Sequence, residues 1–296
     1  MIEWFDAHFV SLLNGLAIGA LLFILAVGLS LVFGMMDVLN LAHGALYLAG
    51  AYIAWKITES APTWPRFLLA IGVAIGIGLL GGVVLAVMTQ PLARRGHLDQ
   101  ALLTLGVALV VAELLITVFG EDEHSVAVPA PLDRSLEVIG HTYPAYRLAL
   151  MGFGFVLAVV VYLVVERTRV GALVRATVAD RDMVSALGVD ARKVLLVVFA
   201  VGAALAATAG VLGGQIYGAT PGLDTTVLLL ALVVVVIGGL GSVKGAFIGA
   251  LLIGQVESLG RALLPDQASF LLFFAMAVVL VLRPRGLFGR ELTAPT

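Results

Sequence analysis

Long uncharged stretches alternate with short polar ones along this chain, and their spacing sets the elements. Residues 12–33, 67–88, 148–165 and 194–219 contain no Asp, Glu, Lys or Arg. Each approaches the roughly 20 residues that a spanning helix needs. Backbone groups in lipid must be satisfied internally, so runs of this kind predict helices. The alternating apolar and polar positions of a membrane barrel are absent. Further spans are predicted at 101–119, interrupted by Glu113, at 227–243 and at 268–282. Two apolar stretches, 44–55 and 245–256, are shorter than a bilayer crossing and read as re-entrant or protein-buried segments. The expectation is an all-α polytopic membrane protein with eight or nine membrane segments, some broken or re-entrant.

Composition agrees. The chain is 61% hydrophobic and 12% charged, with a mean hydropathy of +1.11. It has no cysteine, which excludes disulfides, thiolate nucleophiles and Cys metal sites. The first run has no basic leader and no small-residue cleavage site, so it reads as a retained helix. The net charge of −2 says nothing about nucleic acid.

Basic residues set the orientation. Arg94 and Arg95, the loop 167–193, and Arg283, Arg285 and Arg290 fall on one side by segment count, which is the expected cytoplasmic side. The acid-rich loop 120–147 and the N-terminus fall outside, unless a re-entrant segment near residue 40 changes the count. Loop 167–193 is the one extended charged, helix-compatible island, with six of the 17 Lys and Arg residues and three acids. A membrane chain that spends its charge this way offers the loop to a soluble partner.

The chain also carries an internal likeness. His43-Gly-Ala-Leu-Tyr-Leu-Ala-Gly-Ala and Lys244-Gly-Ala-Phe-Ile-Gly-Ala each open a short apolar stretch. A duplicated, broken-helix architecture and the abundance of Gly and Ala both account for it. Gly202, Ala206, Gly210 and Gly214 share a spacing of four, as do Gly72 with Gly76 and Gly15 with Gly19. Small residues so spaced let helices approach closely.

Several places invite a functional reading. Asp37, Asn40 and His43 lie between two apolar segments, and Asn40 and His43 share a face if the backbone is helical. Polar groups at membrane depth mark substrate routes, while Asn40 as a helix cap is the plainer account. Glu113 is a candidate proton relay or substrate contact, or a buried acid that is neutral or paired with a neighbouring helix. Gln215, Tyr217, Thr220, Asp224, Thr225 and Thr226 cluster near the outer face, as an entrance, a docking surface or a solvated turn around Pro221-Gly222. Residues 238–245 are Gly-rich, but neither they nor any of the three lysines complete a Walker A motif. They read as a flexible break, with Lys244 anchored at the interface. Glu257 and Arg261 read as a surface ion pair. No H-E-x-x-H or G-x-S-x-G occurs, and the five histidines are scattered over loops on both faces.

The stretch from Asn14 to Tyr52 resembles the branched-chain amino acid permease family, the LivH type of ABC importer subunit. Asn40-Leu-Ala-His-Gly44, Tyr47 and Gly50-Ala-Tyr52 carry the resemblance, with 175–188, 202–210 and 237–242 extending it. It runs from about residue 10 to about 288. The resemblance implies that 1–296 is a single permease domain in the bacterial inner membrane, with 167–193 as a cytoplasmic coupling loop. It implies a second permease subunit, expected to be a different chain, two ATP-binding subunits and a periplasmic solute-binding protein. The chain itself then holds no cofactor and no catalytic residue, and ATP is bound by the partners. Asn40, His43, Tyr47 and Glu113 become the expected substrate pathway. Asp180, Arg181, Asp182, Met183, Leu187 and Gly188 become the expected ATPase-coupling residues, with Val184 and Ala186 completing an apolar patch. The implied cargo is a small, branched-chain amino acid. Urea, short amides or aromatic acids remain open within the family, as does a stand-alone secondary transporter that uses Glu113 and His43.

Overall fold

A computed structural model describes residues 2–36, 40–94 and 96–289. Asp37, Arg95 and Arg290 lie outside the described residues, as do the side chains of Arg181 and Asp182. The uncharged runs form helices α1 (Ile2–Met36), α2 (His43–Thr58), α3 (Trp64–Thr89), α4 (His97–Phe119) and α5 (Ala145–Arg167). The charged loop forms α6 (Arg169–Ala179) and α7 (Arg181–Ala186). Helices α8 (Ala191–Tyr217), α9 (Leu223–Gly238), α10 (Val243–Leu263) and α11 (Ala268–Leu282) complete the bundle. Six helices are long and apolar enough to cross a membrane, and α9 and α11 are shorter apolar helices. With α2 they meet the expected eight or nine segments.

Two expectations about segments need correction. The run 227–243 is not one span: α9 stops at Gly238, and α10 starts at Val243. Gly239 and Gly241 turn the chain there, with φ of 98° and 74°. The stretch 245–256 is therefore part of a full-length crossing helix rather than a half segment. The all-α architecture holds, with one small extramembrane addition. The loop after α4 holds an antiparallel hairpin, β1 (Ser135–Val138) with β2 (His141–Pro144).

α1 and α8 are the most buried spans, while α3, α4 and α5 present wide apolar faces outward. Glycine makes the central packing possible. A Cβ on Gly210 or Gly213 would collide with the Tyr47 carbonyl or hydroxyl, and one on Gly50 with the Ala207 carbonyl. Gly15 and Gly19 lie against α10, and Gly78 and Gly82 against α8. The Gly72–Gly76 expectation fails, because neither meets any atom within 4 Å. That pair faces outward, and the true α3 seam is displaced along the helix.

Contacts gather the acid-rich loop with the end of α8 at one end of the bundle and the basic tail with the α9–α10 turn at the other. Loop residue His124 bridges Ala219 in antiparallel fashion, and its ring stacks on Trp55 at 3.6 Å. At the opposite end, Leu287 N–H donates to the Ile237 carbonyl at 2.8 Å, and Gly34 abuts Gly241. Four helices at this basic end start with side-chain caps. Thr168, Asp180, Asp190 and Ser242 accept from the N–H groups of Gly171, Met183, Arg192 and Gly245. Near the acidic end, burial raises the phenol of Tyr143, and the nearby Arg147 guanidinium pulls against that shift.

Candidate functional site

Helix α2 begins inside the bundle, not at its edge. The His43 ring reaches Leu25, past the middle of α1, with Nε2 at 2.9 Å from the Leu25 carbonyl. A carbonyl only accepts, so Nε2 carries the proton and Nδ1, buried without a partner, is left as an acceptor. Asn40 Oδ1 accepts from Ala42 N–H at 3.2 Å, so Asn40 closes a turn ahead of the helix while Ala42 takes the cap position. Leu41 N–H donates to Thr104 Oγ1 at 3.1 Å, tying the break to α4. Asn40, His43 and Tyr47 are thus brought together, fully buried, on one stretch of backbone. Gly44 in the same turn presses on the Asp224 carbonyl of α9. Gly245, its counterpart in the internal likeness, presses on Gly238 at the other end of α9. In both copies the glycine serves a close helix crossing.

Glu113 does not join them. It is exposed on the outward side of α4, neither buried nor near His43, because the buried stripe of that helix runs through Gln100, Thr104 and Ala108. A proton path using both residues has no support within this chain.

A second polar centre lies nearer the acidic end. Glu257, expected on the surface, is 1% exposed. Tyr217 donates to Glu257 Oε1 at 3.0 Å, and Arg261, 61% exposed, donates to the same oxygen at 2.7 Å. The Tyr47 hydroxyl rests on the Gly213 backbone, one helical turn before Tyr217 in α8, and Tyr146 donates to the Leu212 carbonyl at 2.5 Å. Tyr47 OH and Glu257 Oε2 are buried and lack a hydrogen-bond partner among the described residues. Such atoms are costly at membrane depth and call for an explanation. Reading the sequence missed this centre. The signal was present: Ala246, Ala250, Ile253 and Glu257 follow helical spacing along the small-residue face of α10, and all are buried. Of the outer cluster, Tyr217 turns inward to this centre, and Gly222, with φ of 82°, makes the expected turn.

The third region is the loop between α5 and α8. Asp180 caps α7 through Met183 N–H at 2.8 Å. Gly188, with φ of 84°, ends it, as its position predicts. Met183 and Leu187 are 59% and 76% exposed, whereas Val184 is 5% exposed and packs inward. The presented apolar patch is therefore narrower than expected.

A bundle of crossing helices with a broken inner segment and a capped, exposed helical loop at its basic end defines a polytopic membrane permease. Residues 11–282 match the family described as branched-chain amino acid transport system / permease component, and the chain belongs to that family. It is 30% identical to the high-affinity branched-chain amino acid transport system permease protein BraD of Pseudomonas aeruginosa, over 94% of this chain and 95% of that protein. It is 28% identical to the corresponding LivH of Escherichia coli K12, over 98% of each. The solved PsaBC from Streptococcus pneumoniae, in complex with Fab, shares the fold. Its TM-score is 0.54 at 13% identity, and the match covers 95% of both chains.

Proposed function

We propose that this chain is one of two membrane subunits of an ABC importer that carries a small neutral amino acid across the bacterial inner membrane. The names of its relatives favour a branched-chain amino acid. Two ATP-binding subunits on the cytoplasmic side would supply energy, a periplasmic binding protein would deliver the cargo, and the second permease would be a different chain. The observation that carries the reading is the α6–α7 loop: an otherwise apolar chain without a Walker A motif displays Met183 and Leu187 on a capped helix at its basic end. Such a helix suits a groove on a soluble ATPase. ATP, by binding one arrangement of the assembly better than the other, would shift the bundle between outward and inward access. Asn40, His43 and Tyr47 are the proposed lining of the route on this chain, with Glu113 facing the neighbouring subunit. Asp180 through Gly188 are the proposed coupling residues.

The test is gentle extraction of the tagged chain from its native membrane and mass spectrometry of what accompanies it. Two P-loop ATPases and a second permease in near-equal amounts support the reading. A chain that purifies alone, or only with itself, overturns it. Arg181→Glu and Gly188→Trp should then abolish uptake while leaving the chain folded.

A further inference from the structure

The importer reading does not account for Glu257. This carboxylate is drawn inside the bundle, although one helical turn further along α10 would have left it at the edge beside Arg261. Tyr217 and Arg261 both serve Oε1, so Oε2 is left bare. The Tyr47 hydroxyl, resting on the Gly213 backbone one helical turn before Tyr217, is bare as well among the described residues. Gly213 and Tyr217 lie one helical turn apart on α8, so the two unsatisfied oxygens sit beside neighbouring turns of one helix and suit a compact cationic donor. A caged divalent metal would need several more oxygens than these two. Among the described residues, no three His, Cys, Asp or Glu come together to supply them. A primary ammonium, with three N–H donors on one small head, fits the two oxygens.

We propose that Glu257 Oε2 and the Tyr47 hydroxyl form the binding site for the ammonium group of a zwitterionic amino acid crossing the bundle. The proposal rests on the importer reading and gives its cargo a chemical handle within this chain. Arg261 stands on the rim with its side chain largely exposed, placed to meet the carboxylate of the same molecule. In the present arrangement the site is sealed, and Arg261 and Tyr217 hold Glu257 in the cargo's place. Entry breaks the Tyr217–Glu257 bond, the side-chain link between α8 and α10.

The experiment uses the whole importer, with its ATPases, second permease and binding protein, in liposomes loaded with ATP. Uptake of labelled leucine is measured for wild type, Glu257→Gln and Tyr47→Phe. In parallel, the assembled membrane complex without binding protein is tested in nanodiscs for labelled leucine binding. The competitors there are 3-methylbutylamine, which keeps the ammonium, and 4-methylpentanoate, which keeps the carboxylate. Glu257→Gln should cost roughly ten- to a hundred-fold in uptake, the worth of a charge-assisted hydrogen bond. Tyr47→Phe, which removes an atom with no partner in the closed state and keeps the ring, should assemble normally and lose several-fold. The amine should compete in wild type and lose that ability in Glu257→Gln. Normal uptake by assembled Tyr47→Phe, or amine competition indifferent to Glu257→Gln, overturns the site and leaves the importer standing. Two unsatisfied oxygens holding only water would give that result. A wild-type chain that neither assembles with ATPases nor supports uptake of any amino acid overturns the importer reading itself.

Discussion

Tyr217, the last residue of α8, hydrogen bonds at 3.0 Å to Glu257, which lies six residues before the end of α10. The bond joins two helices in the half of the bundle nearer the acidic end. It is also one of two partners that keep a buried carboxylate tolerable. Tyr217→Phe keeps the ring and removes the donor. A hydrogen bond to a charged group contributes about 1.5–3 kcal/mol. The variant should therefore unfold at a visibly lower temperature in detergent, followed by intrinsic fluorescence or loss of monodispersity. An unchanged midpoint would mean that Arg261 alone satisfies Glu257.

Helix seams provide a sharper contrast. Gly210 leaves no room for a Cβ against the Tyr47 carbonyl, while Gly72 meets nothing within 4 Å. Gly210→Val must push α2 off α8 along the stretch that carries Asn40 and His43, and overpacking of this kind typically costs about 1–3 kcal/mol or more. We expect little folded protein from Gly210→Val and a normal, monodisperse yield from Gly72→Val. Size-exclusion chromatography of the two variants side by side decides it.

How much of this was legible in the residues follows from which physics decides each feature. Uncharged runs long enough for lipid permit only helices, so most of the spans could be read directly, while the glycine break at 239–241 inside one run could not. The cap at Asp180 and the stop at Gly188 were equally local and equally readable. Glycine spacing was not enough to choose the seam: Gly72 and Gly76 have the same spacing as Gly15 and Gly19, yet only the latter meet another helix. Glu257 misled for a related reason. Its i,i+4 partner Arg261 suggested an exposed pair, but one residue lies on the inner face and the other on the rim. Glu113 misled in the opposite sense, since a lone acid in an apolar run looks buried until the face of its helix is known.

Coupling predictions concern the exposed side of α7. Met183 and Leu187 offer the apolar contacts, and Val184 does not. Burying a side chain of this size against a partner stabilises by about 1.5–3 kcal/mol. Met183→Asp and Leu187→Asp should each weaken retention of the ATP-binding subunits roughly ten-fold or more. Co-purification from matched membranes measures this. Val184→Asp should instead damage folding, because its side chain is enclosed by this chain. Equal retention across all three variants would place the ATPase contact elsewhere.

A helix of six residues cannot hold its shape by propensity, so the two ends of α7 matter more than its middle. Asp180 satisfies Met183 N–H at the start, and losing such a cap costs about 0.5–2 kcal/mol. Gly188 takes a left-handed φ of 84° at the end, and a β-branched residue there pays about 1–2 kcal/mol. Neither residue touches the membrane core. Asp180→Ala and Gly188→Val should therefore reduce uptake several-fold while the thermal midpoint of the bundle stays at the wild-type value. Gly188→Asn, which tolerates the left-handed region, should retain most transport. Uptake and thermal denaturation measured on the same preparations separate the cases. If Gly188→Asn fails as badly as Gly188→Val, the backbone argument is wrong and the position matters for its lack of a side chain against the partner.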